Sequence, residues 1–246
     1  MDSTPPFEAR AVLILNSDIL YAEALHQLTH TALPRAEICL ASNVSQASRL
    51  LVHRSFDLLI TGLDSSLSGD VLDLLTQNAD SGQHFAHVLV TTTHRELRNV
   101  TVLRRLSVHG VFDSTTETSE QFLSVLRIVA AGGAYWSQSF LELEVKSHSL
   151  SRILTAAEQV MLSVVGDGSD DESAARELGL SPATVSTVRR SLHRKLGVQH
   201  RGELIRIAAQ NGFVRFTPTG VVRPGFALLV DAWHRRCQKL AVRLAS

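Results

Sequence analysis

Cysteine is scarce in this chain: Cys39 and Cys237 are the only two in 246 residues. Such scarcity excludes a disulfide framework, and neither thiol sits at metal-ligand spacing from another ligand. Both read as small packing residues, Cys39 in an apolar strand-like run and Cys237 on a helix. A secretory signal is also missing, because the opening MDSTPPFEAR has neither a basic start nor an apolar run. Long hydrophobic runs are absent as well. Ala11 to Leu15 and Phe226 to Val230 fall far short of the ~20 residues that a membrane span needs. A cytoplasmic location without membrane insertion is expected. Excess charge of either sign is lacking too, with 24 basic and 24 acidic residues and a formal net charge of +0. Any nucleic-acid contact must therefore come from a local basic patch and not from global attraction.

Chemistry-bearing clusters are equally sparse. His26, His30, His94 and His109 show no metal-ligand spacing with cysteine or carboxylate and are assigned to surface or packing. Ser65-Ser66-Leu67-Ser68-Gly69 is loop chemistry, since no Gly-Lys-Ser/Thr follows it as in a phosphate-cradling loop. Nothing nominates an enzyme, a cofactor or a metal site.

What is present is a two-part pattern. A length of 246 residues with 44% hydrophobic and 20% charged content suits two modest domains. The first half alternates apolar runs (AVLIL, AEICLA, FDLLIT, HVLVTT, GVF) with amphipathic stretches at 18–31, 44–54, 70–77, 96–106 and 119–131. That alternation predicts a five-stranded parallel sheet covered by helices, over residues 1–132. Gly132 and Gly133 break the last helix, and the polar run that follows predicts a linker at 133–152.

From Leu154 the periodicity is helical only. Thr155 with Glu158 forms a capping box, followed by an apolar face of Val160, Met161, Val164 and Val165. A short helix over 172–178 stops at Gly179, a residue suited to a left-handed turn. Ser181 caps the next helix and Pro182 opens it, where a missing amide hydrogen costs nothing. Val185, Val188, Leu192 and Leu196 repeat along that helix up to Gly197, and a fourth helix spans 201–210. Two short helices joined by LGLS form the geometry of a helix-turn-helix over 153–214.

The run LTAAEQVMLSVVGDGSDDESAARELGLSPATVSTVRRSLHRKLGV resembles the LuxR-type DNA-binding domain of NarL/FixJ response regulators. The shared features, in order, are LT-x-x-E, the Gly168 turn, Ala175, Leu178-Gly179-Leu180-Ser181, Thr184-Val185 and Lys195-Leu196-Gly197-Val198. The resemblance makes the helix from Pro182 a recognition helix. It implies base reading by Ser186, Thr187 and Arg190, and phosphate proximity for Thr184, Arg189, Arg194 and Lys195. Arg190 is the best single base contact, since arginine bonds guanine bidentately. Taken outside the motif, the same cations also read as a solvated face. Ser186 and Val188 stand where the family usually has Lys and His, and acid accumulates at Asp167, Asp170, Asp171 and Glu172.

The first half resembles the receiver domain of the same regulators. Receivers carry paired acids after the first strand, an aspartate ending the third, a hydroxyl after the fourth and a lysine after the fifth. Laid over this chain, those positions hold Asn16 and Ser17, Gly62, Thr91 (or Thr92) and Ser114. Glycine has nothing to phosphorylate, and Asn16 with Ser17 offers Mg²⁺ no carboxylate. The expectation is a pseudo-receiver with a degenerate phosphorylation pocket, in an orphan regulator independent of aspartyl phosphorylation. A shifted alignment using Asp18 or Asp64 would rescue one acid, but Asp18 reads better as a helix cap and Asp64 as a loop residue. Asp57 and Asp113 read as strand-end polar residues.

The expected partners are double-stranded DNA and a second copy of the chain as homodimer, since two-fold operators favour dimers. Phe122, Leu126 and Val129 are interface candidates, with core packing the commoner reading of such spacing. A heterodimer with another regulator, or a small-molecule or protein ligand at the pseudo-receiver, stays open, as does an interaction module that does not bind DNA. Residues 215–246 form a C-terminal extension with a helix from about Gly225 to Leu244. Its partial stripe of Leu229, Trp233, Leu240 and Leu244 lies beside Arg235, Arg236, Lys239 and Arg243. The stripe is free to extend a dimer interface, touch DNA or pack on the first domain, the last being favoured.

Overall fold

The computed structural model describes the backbone of residues 9–63, 71–72, 74–76, 85–106, 108–218 and 220–245, and the side chains of these except at 146–151 and 236–245. Asp64 and the Ser65 to Gly69 run lie outside the described residues, as do the side chains of Cys237, Leu240 and Leu244. Backbone contacts divide the chain into two compact units, Met1–Arg95 with Val102–Leu143 and Glu96–Thr101 with Glu144–Ser246.

In the first unit, β1 (Ala11–Leu15), β2 (Glu37–Ala41), β3 (Phe56–Thr61), β4 (Phe85–Thr92), β5 (Gly110–Asp113) and β6 (Tyr135–Trp136) form one parallel sheet in the order β2-β1-β3-β4-β5-β6. β1 and the middles of β3 (Leu58, Leu59, Ile60) and β4 (Val88, Leu89, Val90) are unbroken buried apolar runs because the helices bury both faces of the sheet. Between the strands run α1 (Ile19–Ala32), α2 (Val44–His53), α3 (Leu97–Arg105) and α4 (Ser119–Ala130), with helical residues also at 71–72 and 74–76. Asp18 accepts the Tyr21 N–H as N-cap of α1, the role expected of it. On one face Leu25 of α1 and Phe122, Val125, Leu126 and Val129 of α4 close over Ile14, Ile60 and Leu89. The interface candidates Phe122, Leu126 and Val129 are therefore core residues of their own domain.

Two expectations need correction. The sheet has a sixth strand: Tyr135 donates its N–H to the His109 carbonyl at 3.0 Å and Ser137 to that of Val111 at 2.9 Å. The expected linker at 133–152 holds this strand and most of α5 (Gln138–Ile153), whose Phe140 is fully buried. Its polar residues alternate with apolar ones at helical spacing and do not mark open chain.

The second unit contains α6 (Ala156–Val165), α7 (Asp171–Leu178), α8 (Pro182–Leu196) and α9 (Arg201–Gln210), close to the expected bounds. A hairpin of β7 (Arg215–Thr217) and β8 (Gly220–Val222) follows, and then α10 (Phe226–Ala245). Phe226, Leu229, Val230 and Trp233 of α10 join the core formed by Val160, Leu162, Val165, Leu192 and Leu204. Leu229 and Trp233, the described part of the stripe, thus pack into the core of their own unit, where the favoured expectation had them on the first domain, and the helix lies against α6. Arg223, just before α10, forms ion pairs with Asp167 and with Glu177 of α7.

Asp113 is a strand-end residue, as expected, yet it is fully buried. Its Oδ2 accepts Arg95 Nε at 2.7 Å and Ser139 Oγ at 2.6 Å, while Oδ1 accepts the Thr115 N–H at 3.0 Å and hydroxyl at 2.6 Å. Burial alone acts to raise its pKa, but the donors Ser139, Thr115 and Arg95 outweigh it and hold the carboxyl at about 2. Replacing Asp113 by Asn should cost the first unit about 2 kcal/mol, seen as a lower urea midpoint. An unchanged midpoint would remove Asp113 from the forces holding this end of the sheet.

Candidate nucleic-acid interface

The helix-turn-helix is set by local chemistry. Asp170 caps α7 by accepting the Ser173 N–H at 2.7 Å. α7 ends on Gly179 at φ +65°, a left-handed conformation that a β-carbon disfavours. Leu180 N–H then returns to the Ala175 carbonyl at 2.9 Å, completing the turn. Ser181 accepts the Thr184 N–H at 3.1 Å, Pro182 opens α8, and Val185 and Leu192 are buried on its inner side.

α8 is held from below by one carboxylate. Glu158 closes the capping box of α6, accepting the Thr155 N–H at 2.8 Å on Oε2 while its own N–H donates to Thr155 Oγ1 at 3.3 Å. The same side chain accepts Ser191 Oγ at 2.9 Å and Lys195 Nζ at 2.7 Å, both from α8. Burial pushes the Glu158 pKa upward, yet the bonds from Lys195, Thr155 and Ser191 prevail and keep the carboxyl at about 2.

The expected DNA-binding residues divide into two sets. Arg189 is turned inward: its side chain is 15% exposed, its Nε lies 2.7 Å from Asp171 Oδ1, and its Nη2 donates to the Ser169 carbonyl at 2.9 Å. Lys195 is engaged by Glu158. Neither is a free cation. Thr184, Thr187, Arg190 and Arg194 are exposed, and Ser186 is half-buried. Arg190 lies along its own helix, with Nε 3.4 Å from the Ser186 carbonyl and Nη2 3.3 Å from Thr187 Oγ1. Val188 packs against the core, so its departure from the family residue falls on the inner side of α8. The acids of the preceding segment have structural roles: Asp167 accepts the Ser169 N–H at 2.7 Å and pairs with Arg223, Asp170 caps α7 and Asp171 holds Arg189. Those partnerships lie 18 to 56 residues away in the chain for Asp171 and Asp167, and no local pattern announces them.

At the C-terminal ends of the first unit's strands, Leu15, Asn16, Ser17, Ser42, Asn43, Val44, Gly62 and Val71 line a shallow hollow that opens to solvent. Asn16, Ser17 and Gly62 thus come together, and among the described residues no lining residue is acidic. Asn16 is buried, and its Oδ1 is occupied by the Asp18 N–H at 2.9 Å. Thr91 on β4 is buried, and its hydroxyl has no hydrogen-bond partner among the described residues. Ser114, just after β5, donates its N–H to the Thr92 carbonyl at 3.2 Å. Among the described residues, no group of three or more His, Cys, Asp or Glu is placed to hold a metal ion, and no helix is long and apolar enough to cross a membrane.

A parallel receiver-like α/β unit followed by a capped helix-turn-helix is the architecture of NarL/FixJ-type response regulators. Residues 152–208 match the family model for bacterial regulatory proteins of the luxR family, so the helix-turn-helix is of LuxR type, the DNA-binding segment of transcription regulators. The transcriptional regulatory protein MctR of Rhizobium johnstonii is 29% identical over 133 residues, covering 52% of this chain and 61% of MctR. The CsgBAC operon transcriptional regulatory protein of Escherichia coli is 28% identical over 196 residues, covering 68% of this chain and 89% of that protein. RcsB of Salmonella enterica serovar Typhimurium bound to a promoter in the presence of phosphomimetic BeF3- is similar in fold, with a TM-score of 0.58 and 17% identity over 82% of this chain and 98% of RcsB. A complex of the two-component response regulator RcsB with DNA gives 0.54 and 16% over the same shares.

The Glu158 carboxylate gives the second unit an acid limit. Its folded pKa lies below the ordinary value of 4.5, so its stabilisation is complete above pH ~4.5 and is lost as pH falls towards about 2. Glu158→Gln should lower stability near neutral pH by about 2 kcal/mol and flatten the loss between those limits. Thermal melts of both proteins across that range test this; parallel curves would exclude it.

Proposed function

We propose that the protein binds double-stranded DNA as a homodimer through α8, with Arg190, Ser186 and Thr187 towards base edges and Thr184 and Arg194 towards phosphates. The carrying observation is the exposed Arg190 on a Ser181-capped, Pro182-opened helix whose inner side is fixed by Val185, Leu192 and Glu158. A helix so held presents its outer residues at a set angle, as entry into a major groove requires. The names of MctR and the CsgBAC regulator, and the DNA in the RcsB complexes, support the reading. One of the similar structures contains two RcsB dimers on two parallel DNAs, which supports the dimer.

The proposal includes independence from aspartyl phosphorylation. Gly62 offers no carboxylate to attack phosphorus, and Asn16 and Ser17 offer none to Mg²⁺, so the residues around the hollow do not fit the ion that receivers use. Control then rests on protein abundance, pairing or a ligand of the first domain. A second reading, a heterodimer partner that modulates another regulator without touching DNA, draws on Asp171 and Glu158 occupying two of the four α8 cations named above.

Arg190→Ala should weaken binding to a duplex selected by the wild-type protein from a random library by about tenfold or more, read by fluorescence anisotropy. Equal affinity would remove Arg190 as a base contact, and failure of the wild type to enrich any duplex would favour the second reading. Incubation with acetyl phosphate and Mg²⁺ should leave no hydroxylamine-labile adduct. Finding one by mass spectrometry means that another carboxylate serves as phosphoacceptor.

A further inference from the structure

We infer that His109, backed by His87, is an acid-sensitive latch across the starts of β4, β5 and β6, closed while the His109 ring is neutral and opened when it gains a proton. The inference concerns the first unit alone and stands whether or not α8 binds DNA.

The latch is built from one residue that serves two neighbours. The His109 N–H donates to the Val88 carbonyl at 3.0 Å, and the Val88 N–H returns to His109 Nδ1 at 3.3 Å. On its other side the His109 carbonyl accepts the Tyr135 N–H at 3.0 Å. β5 begins only at Gly110, so the imidazole nitrogen takes the place that a strand carbonyl would hold at the end of the ladder. A backbone N–H can donate only to a ring nitrogen without a proton, which fixes the proton of the neutral ring on Nε2. Protonation of Nδ1 sets two N–H groups against each other and leaves the N–H of buried Val88 without this acceptor.

A second ring opposes that proton. His87 of β4 meets His109 edge-on, with ring centroids 4.7 Å apart and planes at 86°. Both side chains are half-buried. Burial pushes both pKa values below the ordinary 6.5; at His87 it outweighs the Asp57 carboxylate of β3, and at His109 the neighbouring His87 adds to it. Asp57 is itself engaged, its Oδ2 accepting the Arg10 and Ala11 N–H groups at 2.7 and 2.9 Å. Past the end of α4, uncharged Gly132 lies against His87, where a β-carbon would sit 3.6 Å from Cε1. The Tyr135 hydroxyl of β6 is pushed up to about 12 by burial and by its bond to Glu117, and stays neutral. From α3, Arg104 is laid over the Trp136 ring, 3.7 Å from its centre.

Both histidines are harder to charge in the folded chain than in the unfolded one. Their contribution is therefore complete above pH ~6.5 and is lost as the pH falls through their lowered values. That window lies above the acid limits of Asp113 and Glu158, whose carboxyls are held at about 2. Opening frees the first rungs between β4, β5 and β6, the last strand before α5, so acid is an input to the first unit that needs no phosphoryl group.

The test follows amide exchange by NMR in the full chain at about pH 7.5 and about pH 5.5, with Ile60 of β3 as reference so that the pH dependence of exchange itself cancels. Relative to Ile60, the Val88 and Tyr135 amides should lose about fivefold or more of their protection at the lower pH, and the loss should track the titration of the His109 ring signals. His109→Asn, whose amide oxygen can accept from Val88 but does not titrate, should hold the same ratio at both pH values. Constant ratios in the wild type overturn the inference, as does a His109 ring that titrates without moving those amides. A loss in His109→Asn equal to that of the wild type also overturns it, since another group then carries the pH dependence. If that variant does not fold, the wild-type comparison of ring titration with protection decides alone.

Discussion

The attitude of α8 depends on the Glu158 carboxylate. It closes the first turn of α6 and at the same time receives Ser191 and Lys195, so the start of one helix and the C-terminal part of another are tied at a single group. An apolar contact alone restrains a helix against moving away but tolerates rotation, whereas hydrogen bonds to one carboxylate fix rotation as well. Rotation is the variable that decides which residues of α8 face outward. With Ser191 and Lys195 held, Thr187, Arg190 and Arg194 are left on the outer side. The interaction has a cost for recognition, because Glu158 offsets the charge that Lys195 would otherwise present to a phosphate.

That trade runs through the second unit. Asp171 orients Arg189, Asp167 and Glu177 hold Arg223, and each pairing converts a potential DNA cation into a structural strut. Partly buried pairs of this kind carry more geometric information than exposed ones, whose contribution is close to nothing. A chain with no net charge therefore has to place its unspent cations where they count. Arg190 and Arg194 lie exposed on the outer side of α8, and Arg176, Arg201 and Arg206 are exposed on the neighbouring helices.

What was legible in the sequence was local. Asp18, Thr155 with Glu158, Ser181 with Pro182, and Gly179 and Gly197 at φ +65° and +67° each act within four residues of themselves, and each stands where its chemistry places it. The strand at Tyr135–Trp136 was not legible, because two residues carry no alternation and its bonding partners lie around His109 and Val111. The β7–β8 hairpin lacks the Asn-Gly type of turn that signals one. Arg189 looked like Arg190 in the sequence, and Asp171 and the Ser169 carbonyl, both outside α8, separate them. The hollow formed by Asn16, Ser17 and Gly62 was readable as an alignment, since β1 and β3 are adjacent and end at the same level.

The first unit keeps the receiver-like sheet, and the reason is physical rather than chemical. A parallel sheet is held by its buried strands and covering helices, in which the side chains at the strand ends take little part. Asn16 and Gly62 can thus stand at those ends while Val12, Ile14, Leu58 and Ile60 remain fully buried. Loss of a phosphoryl site on the proposed reading leaves the fold intact but removes the ligand that would distinguish two states of it. A conformational equilibrium moves only by the difference in affinity that a ligand has for its two states. Where no phosphoryl group forms, whatever biases this domain must act through other groups. Arg95 and Asp113 already fasten the segments after β4 and β5 to one another without any ligand. A contact of that kind, made within the chain itself, favours one arrangement of this end of the sheet as the resting state, so a controlling partner has to act against it or on a different surface.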